Sequence, residues 1–394
     1  DWKAEGGPGL VAVGVVNSYV AEAMAMLEDA GIDLNGLSVL HVKTSCPYPD
    51  AELTALLKHC GKILVAEELE PYVENRAYLD AYKAGVQVPI LGKNDGTYER
   101  VGYYDAAHLV FGLCKLLGVE VPETLKHRMV TAEGHCAARP ITVCAGCPHR
   151  GTYISIQQAI RKLGMKKEEV MVTGDIGCTI LGTTPPFHAL WTEVSMGASI
   201  PLAQGIVYAG TKNPVVATIG DSTFFHAGMP GLVNALQHHI NLTVIIMDNG
   251  WTSMTGMQVN PGTIQEAQLF DWQQIDLAGV VRGMGVEDFH IVDPYDLTQM
   301  TQAVADSMQY EGVSVVLARR ECAIEAARRK VRYTPVHLKA EACTRCKQCI
   351  QVTGCPALSF ADGEILLDST QCNGCGICTQ ICKFGALVKE GQEA

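Results

Sequence analysis

Sixteen cysteines are the residues best equipped for chemistry in this chain of 394. Eight fall in two runs near the carboxyl end: Cys343, Cys346, Cys349 and Cys355-Pro356, then Cys372, Cys375, Cys378 and Cys382. Bacterial carriers of two 4Fe–4S clusters use C-x2-C-x2-C-x3-C-P, and the fourth cysteine of each run ligates the other cluster. The second run keeps this spacing, with Lys383 in place of proline; the first keeps Pro356 and widens its last gap. The spacing therefore assigns Cys343, Cys346, Cys349 and Cys382 to one cluster, and Cys372, Cys375, Cys378 and Cys355 to the other. Three closely spaced thiolates wrap one cubane, and the remote fourth ties the two halves together. A pair of four-cysteine zinc sites is the alternative, although zinc needs no triplet-plus-remote pattern.

A further C-x-x-C lies in Cys144-Ala145-Gly146-Cys147-Pro148, with Cys178 and Cys322 following strand-like segments. By spacing alone these four either converge on a third cluster or form a buried structural set. Cys46, Cys60, Cys114 and Cys136 have no ligand spacing and read as core, where free cysteine usually lies. Gly220-Asp221-Ser222 and Asn249 offer a different chemistry. Their side-chain oxygens, with turn carbonyls, make an oxygen-only set suited to Mg²⁺ bridging a diphosphate. Gly220 lets the backbone approach a phosphate closely.

Strand ends must hold these groups. In the first segment, strands are expected at Leu10–Val16, Leu37–Val42 and Lys62–Ala66, with helices at Tyr19–Asp29 and Ala51–Cys60. In the second, helices are expected at Tyr153–Leu163, Ala198–Ala209 and Gly231–His239. Strands at Val170–Thr173, Pro214–Ile219 and Leu242–Met247 each run into a polar turn. Alternation of this kind implies βαβ units and parallel sheets, whose functional residues lie beyond the carboxyl ends of the strands.

Composition bounds the rest. With 48% hydrophobic and 18% charged residues the chain should pack as two to three domains. A net charge of −12 argues against nucleic acid. Neither a signal-peptide pattern nor an apolar run of membrane-spanning length is present, so a membrane is not expected. A chain of this size needs no disulfide framework, so its thiols fit a reducing cytoplasm. Asp1 is not an initiator Met, so a fragment or a processed chain is expected.

The stretches GDSTFFHAGMPGLVNA and NLTVIIMDNGWTSMTGMQ, with GDIGC, MGASI, VAEELEPYVE and ILGKNDG, resemble the 2-oxoacid:ferredoxin oxidoreductases. Within them, the likeness is to large subunits of the indolepyruvate branch, over nearly the whole chain. The resemblance implies an α/β fold with a transketolase C-terminal-like parallel-sheet domain at 1–125. A second parallel-sheet domain at 126–334 would bind the diphosphate of thiamine diphosphate (TPP), and a two-cluster ferredoxin-like domain would follow at 335–394. Asp221, Asn249 and the Trp251 carbonyl would hold Mg²⁺, with Gly177, Gly220, Ser222 and Thr223 lining the cofactor. Cys144, Cys147 and Cys178, with Cys322, would hold a third 4Fe–4S cluster beside TPP.

The implied activity is oxidative decarboxylation of a 2-oxoacid, an aryl pyruvate such as indolepyruvate, to an acyl-coenzyme A. Electrons would leave through the clusters to ferredoxin. Implied partners are a small oxidoreductase subunit and a segment or chain carrying the pyrimidine-binding domain, in a hetero-oligomer. That domain normally supplies the activating glutamate, which is therefore expected outside these residues. Phe187–Trp191 departs from the family pattern near the substrate pocket, leaving His188 as either a pocket acid or a structural histidine. A non-catalytic iron–sulfur subunit with a vestigial TPP fold is the alternative.

Overall fold

The computed structural model describes residues 2–126, 141–267, 271–331 and 333–389. The chain divides into two compact units, Asp1–Ala138 and Arg139–Ala394.

In the first unit β1 (Pro8–Val13), β2 (Ser38–Val42), β3 (Lys62–Ala66) and β4 (Ile90–Leu91) form a parallel sheet of order β2-β1-β3-β4. Leu10, Val11 and Ala12 are fully buried, as a central parallel strand covered on both faces requires. Their side chains alternate between two cores. Leu10 and Ala12 pack with α1 (Val20–Asp29) and α4 (Ala106–Leu117); Val11 packs with α2 (Asp50–His59) and α3 (Tyr72–Ala84).

Two of the stretches quoted above, VAEELEPYVE and ILGKNDG, are joined here. Glu67, just past β3, accepts the N–H groups of Val73 (2.9 Å) and Glu74 (2.8 Å), capping α3. Glu74 in turn accepts from the backbone of Lys93 (2.8 Å) and Asn94 (3.0 Å) beyond β4. Glycine is required at 92, because a Cβ there would lie 2.5 Å from the Glu74 carboxylate.

Of the cysteines expected in the core, Cys60 and Cys114 are buried, and Cys136 lies outside the described residues. Cys46 is exposed, contrary to expectation. It sits on the loop between β2 and α2, and Tyr48 is the loop residue that packs against the core.

The second unit is built on β5 (Met171–Thr173), β6 (Val215–Gly220), β7 (Leu242–Asp248), β8 (Asp288–Val292) and β9 (Val313–Arg319). All pair in parallel in the order β5-β6-β7-β9-β8. One face packs against α5 (Pro148–Lys162) and α9 (Leu297–Gln309), the other against α6 (Ser199–Tyr208), α7 (Met229–Gln237) and α8 (Leu277–Gly283). α10 (Ala323–Arg328) follows β9.

Two helices begin earlier than expected. α5 opens at Pro148, where a missing N–H costs nothing in a first turn. Helical backbone ahead of α7 begins at Asp221 and passes through a π-helical segment, Phe224–Gly228. Gly228 lies within it, at a point where a Cβ would come within 2.6 Å of the Ile219 side chain.

After α10 come β10 (Val336–Leu338), α11 (Gln348–Thr353), β11 (Leu358–Ala361), β12 (Glu364–Leu367), α12 (Ile377–Ile381) and β13 (Leu387–Lys389). β10 pairs with β13 and β11 with β12, both antiparallel. A small core of Val336, Leu358, Ile365 and Leu387 is packed among the cysteines. Among the described residues, no helix is long and apolar enough to cross a membrane.

Candidate functional site

Because β5, β6, β7 and β9 are neighbours, the turns after them share one edge of the sheet. These turns carry Cys178, Asp221, Asn249 and Cys322. A pocket of about 120 Å³ opens there, lined by Gly177, Cys178, Gly220, Asp221, Ser222, Thr223, Asn249 and Trp251, with His149 beside them. Gly177 has φ +113°, a conformation that side chains rarely adopt, and this turns the β5 exit toward the pocket. Asp175 is fully buried and accepts from Ile176 (2.8 Å), Gly197 (3.0 Å) and Ser199 (3.1 Å). It thereby staples the GDIGC turn to the start of α6.

Asp221 is 3% exposed. Its carboxylate accepts from Ser222 N (2.8 Å), Gly250 N (2.7 Å) and the side-chain amide of Asn260 (3.1 Å). Burial, and next the charge of Asp248, push its carboxyl well above the usual range. Asn249 Oδ1 accepts from Trp251 N (3.0 Å), and Thr252 donates to the Ser222 hydroxyl (2.7 Å). Among the described residues this buried carboxylate has no cationic partner, and with an amide oxygen and hydroxyls beside it the donor set fits a hard divalent cation. A cation there would relieve the burial cost that now favours the protonated acid.

The structure groups the cysteines into three sets. Cys343, Cys346, Cys349 and Cys382 ring a cleft of about 630 Å³. Cys355, Cys372, Cys375 and Cys378 ring a small cavity of about 20 Å³. Burial and then Cys382, Cys346 and Cys343 raise the Cys349 thiol; burial and then Cys375, Cys355 and Cys372 raise that of Cys378. In the third set, burial pushes Cys147 up to about 12, with Cys178 and Cys144 contributing. Burial pushes Cys178 up to about 11, with Cys322, Cys144 and Asp221 contributing. Four thiols within electrostatic reach of one another ionise readily only around a cationic centre, so each set fits a cluster. Among the described residues no three His, Cys, Asp or Glu side chains close on a single-ion position.

The sets lie in sequence. Cys178 belongs to the pocket of Asp221, and the Cys144–Cys147 turn is seated against the middle set. Ala145 and Gly146 line the middle cavity, and the Tyr295 hydroxyl donates to the Gly146 carbonyl. Gln380 on α12 bonds Tyr295 O (2.7 Å) and Leu297 N (3.0 Å), docking this end of the module on α9.

His188 is exposed and does not line the pocket; its ring meets the Thr183 carbonyl at 3.2 Å. His149, 3% exposed, is the histidine lining the pocket, and burial lowers its pKa to about 4. Spacing did not single out His149 or Asn260. The Asn260-Pro261-Gly262 turn was the available signal for the second, since Asn260 Oδ1 accepts from Gly262 N at 2.8 Å.

Residues 175–318 match the family model described as thiamine pyrophosphate enzyme, C-terminal TPP binding domain. The second sheet and its carboxyl edge are thus those of a TPP enzyme's cofactor-binding domain. The chain is 36% identical to indolepyruvate oxidoreductase subunit IorA of Pyrococcus horikoshii, over 98% of this chain and 61% of that relative. It is 33% identical to the subunit of the same name from Methanothermobacter marburgensis, over 98% of this chain and 60% of the relative. The 2-oxoglutarate synthase subunit KorB of Archaeoglobus fulgidus is 26% identical over 45% of this chain and 68% of its own length. A solved 2-oxoglutarate:ferredoxin oxidoreductase from Magnetococcus marinus aligns with a TM-score of 0.44 and 20% identity, covering 48% of this chain and 67% of the other. Over nearly its whole length the chain is thus similar to subunits of the 2-oxoacid:ferredoxin oxidoreductase family. It spans about three fifths of the length of the IorA relatives it matches.

Proposed function

We propose that the protein is the TPP- and cluster-bearing part of an oxidoreductase that converts a 2-oxoacid, an aryl pyruvate such as indolepyruvate, to its acyl-coenzyme A. The observation that carries this reading is that one pocket is lined by both Asp221 and Cys178. A diphosphate-type site and a thiol set next to each other suit chemistry whose electrons must leave one at a time.

Asp221, Asn249 and the Trp251 carbonyl would hold Mg²⁺, while Gly177, Gly220, Ser222 and Thr223 would line the diphosphate. When bound, TPP supplies an electron sink for decarboxylation. The chain's own groups orient it: Asn260 and the Gly250 N–H fix the Asp221 carboxylate, and Thr252 fixes Ser222. Cys144, Cys147, Cys178 and Cys322 would hold the inner 4Fe–4S cluster. Cys355, Cys372, Cys375 and Cys378 would hold the middle one, and Cys343, Cys346, Cys349 and Cys382 the outer one, in a ferredoxin-like domain. Cys346 is exposed, which gives the outer centre a short path to an external ferredoxin.

Activity would require a pyrimidine-binding domain with its glutamate, a small partner subunit and coenzyme A, within a cytoplasmic hetero-oligomer. The test is viologen reduction by the complex supplied with TPP, Mg²⁺ and coenzyme A across aromatic and aliphatic 2-oxoacids. Aryl pyruvates should give the fastest reduction. No 2-oxoacid-dependent reduction with any combination of subunits would overturn the assignment in favour of a non-catalytic electron carrier.

A further inference from the structure

Arg150 occupies the first turn of α5, three residues after Cys147, and heads the fully buried side chains by volume at 1% exposed. Its guanidinium donates to the carbonyls of Thr353, Val143 (2.6 Å) and Cys144 (3.0 Å), and it stands 5.7 Å from the Phe187 ring centroid. Among the described residues its Nε has no partner and no carboxylate forms an ion pair with it. Arg320 makes the contrast: only partly buried, it is matched by Asp293.

A guanidinium cannot shed its proton, and a buried charge without a counter-ion is strongly disfavoured. Three carbonyl dipoles solvate Arg150 but do not neutralise it. The ionisable groups within reach of its charge are Cys144 and Cys147 on one side and Cys375 on the other. Arg150 also lines the cavity ringed by Cys355, Cys372, Cys375 and Cys378. It is therefore a fixed cation placed between two of the thiol sets, and its bonds to Cys144 and Thr353 tie their peptide segments together.

We propose that Arg150 is the shared counter-charge of two iron–sulfur centres, on Cys144/Cys147/Cys178/Cys322 and on Cys355/Cys372/Cys375/Cys378, and governs electron passage between them. This rests on the cluster assignment of the proposed function. Reduction adds one electron to a centre that is already anionic, and a fixed positive charge in a water-poor setting favours that state. The transfer itself oxidises the inner centre and reduces the middle one by a single electron, with no bond or proton exchanged. Arg150 is a positioning residue here: it sets the field and the spacing but does not touch substrate.

The test is a redox titration followed by electron paramagnetic resonance on Arg150→Met and Arg150→Lys, with iron and sulfide content measured alongside. In Arg150→Met the inner and middle centres should shift to more negative midpoints, while the centre on Cys343, Cys346, Cys349 and Cys382 stays in place as an internal control. Arg150→Lys, which keeps the charge, should shift both less. Unchanged midpoints in fully loaded Arg150→Met would overturn the proposal and leave Arg150 as a peptide clamp. Should Arg150→Met fail to assemble, Arg150→Gln decides, because it keeps a donor for the Thr353 carbonyl without the charge. Fewer than three centres in the unsubstituted protein would instead defeat the cluster assignment beneath it.

Discussion

Asn260 donates its side-chain amide to Asp221 at 3.1 Å, joining residues 39 apart in sequence inside the pocket. The bond aims one carboxylate oxygen and leaves the other facing Ser222 N. Asn260→Ala should therefore weaken Mg²⁺–TPP binding about tenfold, the effect of roughly 1.4 kcal/mol lost with one hydrogen bond to a charged acceptor. Titrating the fluorescence of Trp251, which lines the pocket, reads the change directly. Wild-type affinity in this variant would remove Asn260 from the site.

Asp221→Ala removes the carboxylate itself. TPP binding should be lost, while the paramagnetic signals of the reduced centres persist, because no cysteine is altered. Retained binding would show that the cofactor is held elsewhere.

Gly146 has φ +69°, and a Cβ on it would meet the Asn373 side chain at 1.9 Å. Gly146→Ala should thus destabilise the second unit by about 1–3 kcal/mol through strain and overpacking. It should also lower iron content at the middle set, where Asn373 lines the same cavity. Calorimetric melting and iron analysis check both effects.

Asp95 gives the first unit a defined acid limb. Partial burial works against its charge, but the Thr97 hydroxyl, the N–H groups of Gly92 and Thr97, and the Lys115 ammonium hold the carboxyl at about 2. Since this lies below the unfolded value of about 3.9, the charged form favours the folded state. The contribution is present above about pH 4 and is lost as pH falls toward about 2. Asp95→Asn should cost roughly 1–2 kcal/mol at pH 7 after allowance for solvent screening, and little once the pH is below about 2. Urea unfolding at several pH values tests this; a loss independent of pH would contradict it.

What sequence made legible follows from locality. β7 reads Leu242 to Met247 without a polar interruption other than Thr243, and the structure buries it on both faces. The structure lines the cleft of Cys343/Cys346/Cys349 with Cys382 and the cavity of Cys372/Cys375/Cys378 with Cys355, and the spacing of those triplets was legible in the sequence. Long-range complementarity was not. Arg150 has no local pattern, since it acts on Thr353 across the fold, and the turn at Asn260 marks a bend but not its distant partner Asp221. Cys46 was misplaced because its composition resembles core, while the loop it occupies is anchored by Tyr48 instead. His188 and His149 were indistinguishable as isolated residues, and only the packing of α5 beneath the pocket separates them.

The crossing of Cys355 and Cys382 between thiol sets has a bearing on how the chain is made. The group of Cys343, Cys346 and Cys349 waits for Cys382, which follows even the last cysteine of the second triplet, Cys378. A nascent chain cannot complete that group until Cys382 has emerged, so during synthesis the thiol set that begins first closes last. A transcript truncated just before Cys382 would yield a polypeptide whose TPP-type pocket is whole and whose outermost thiol set is one ligand short.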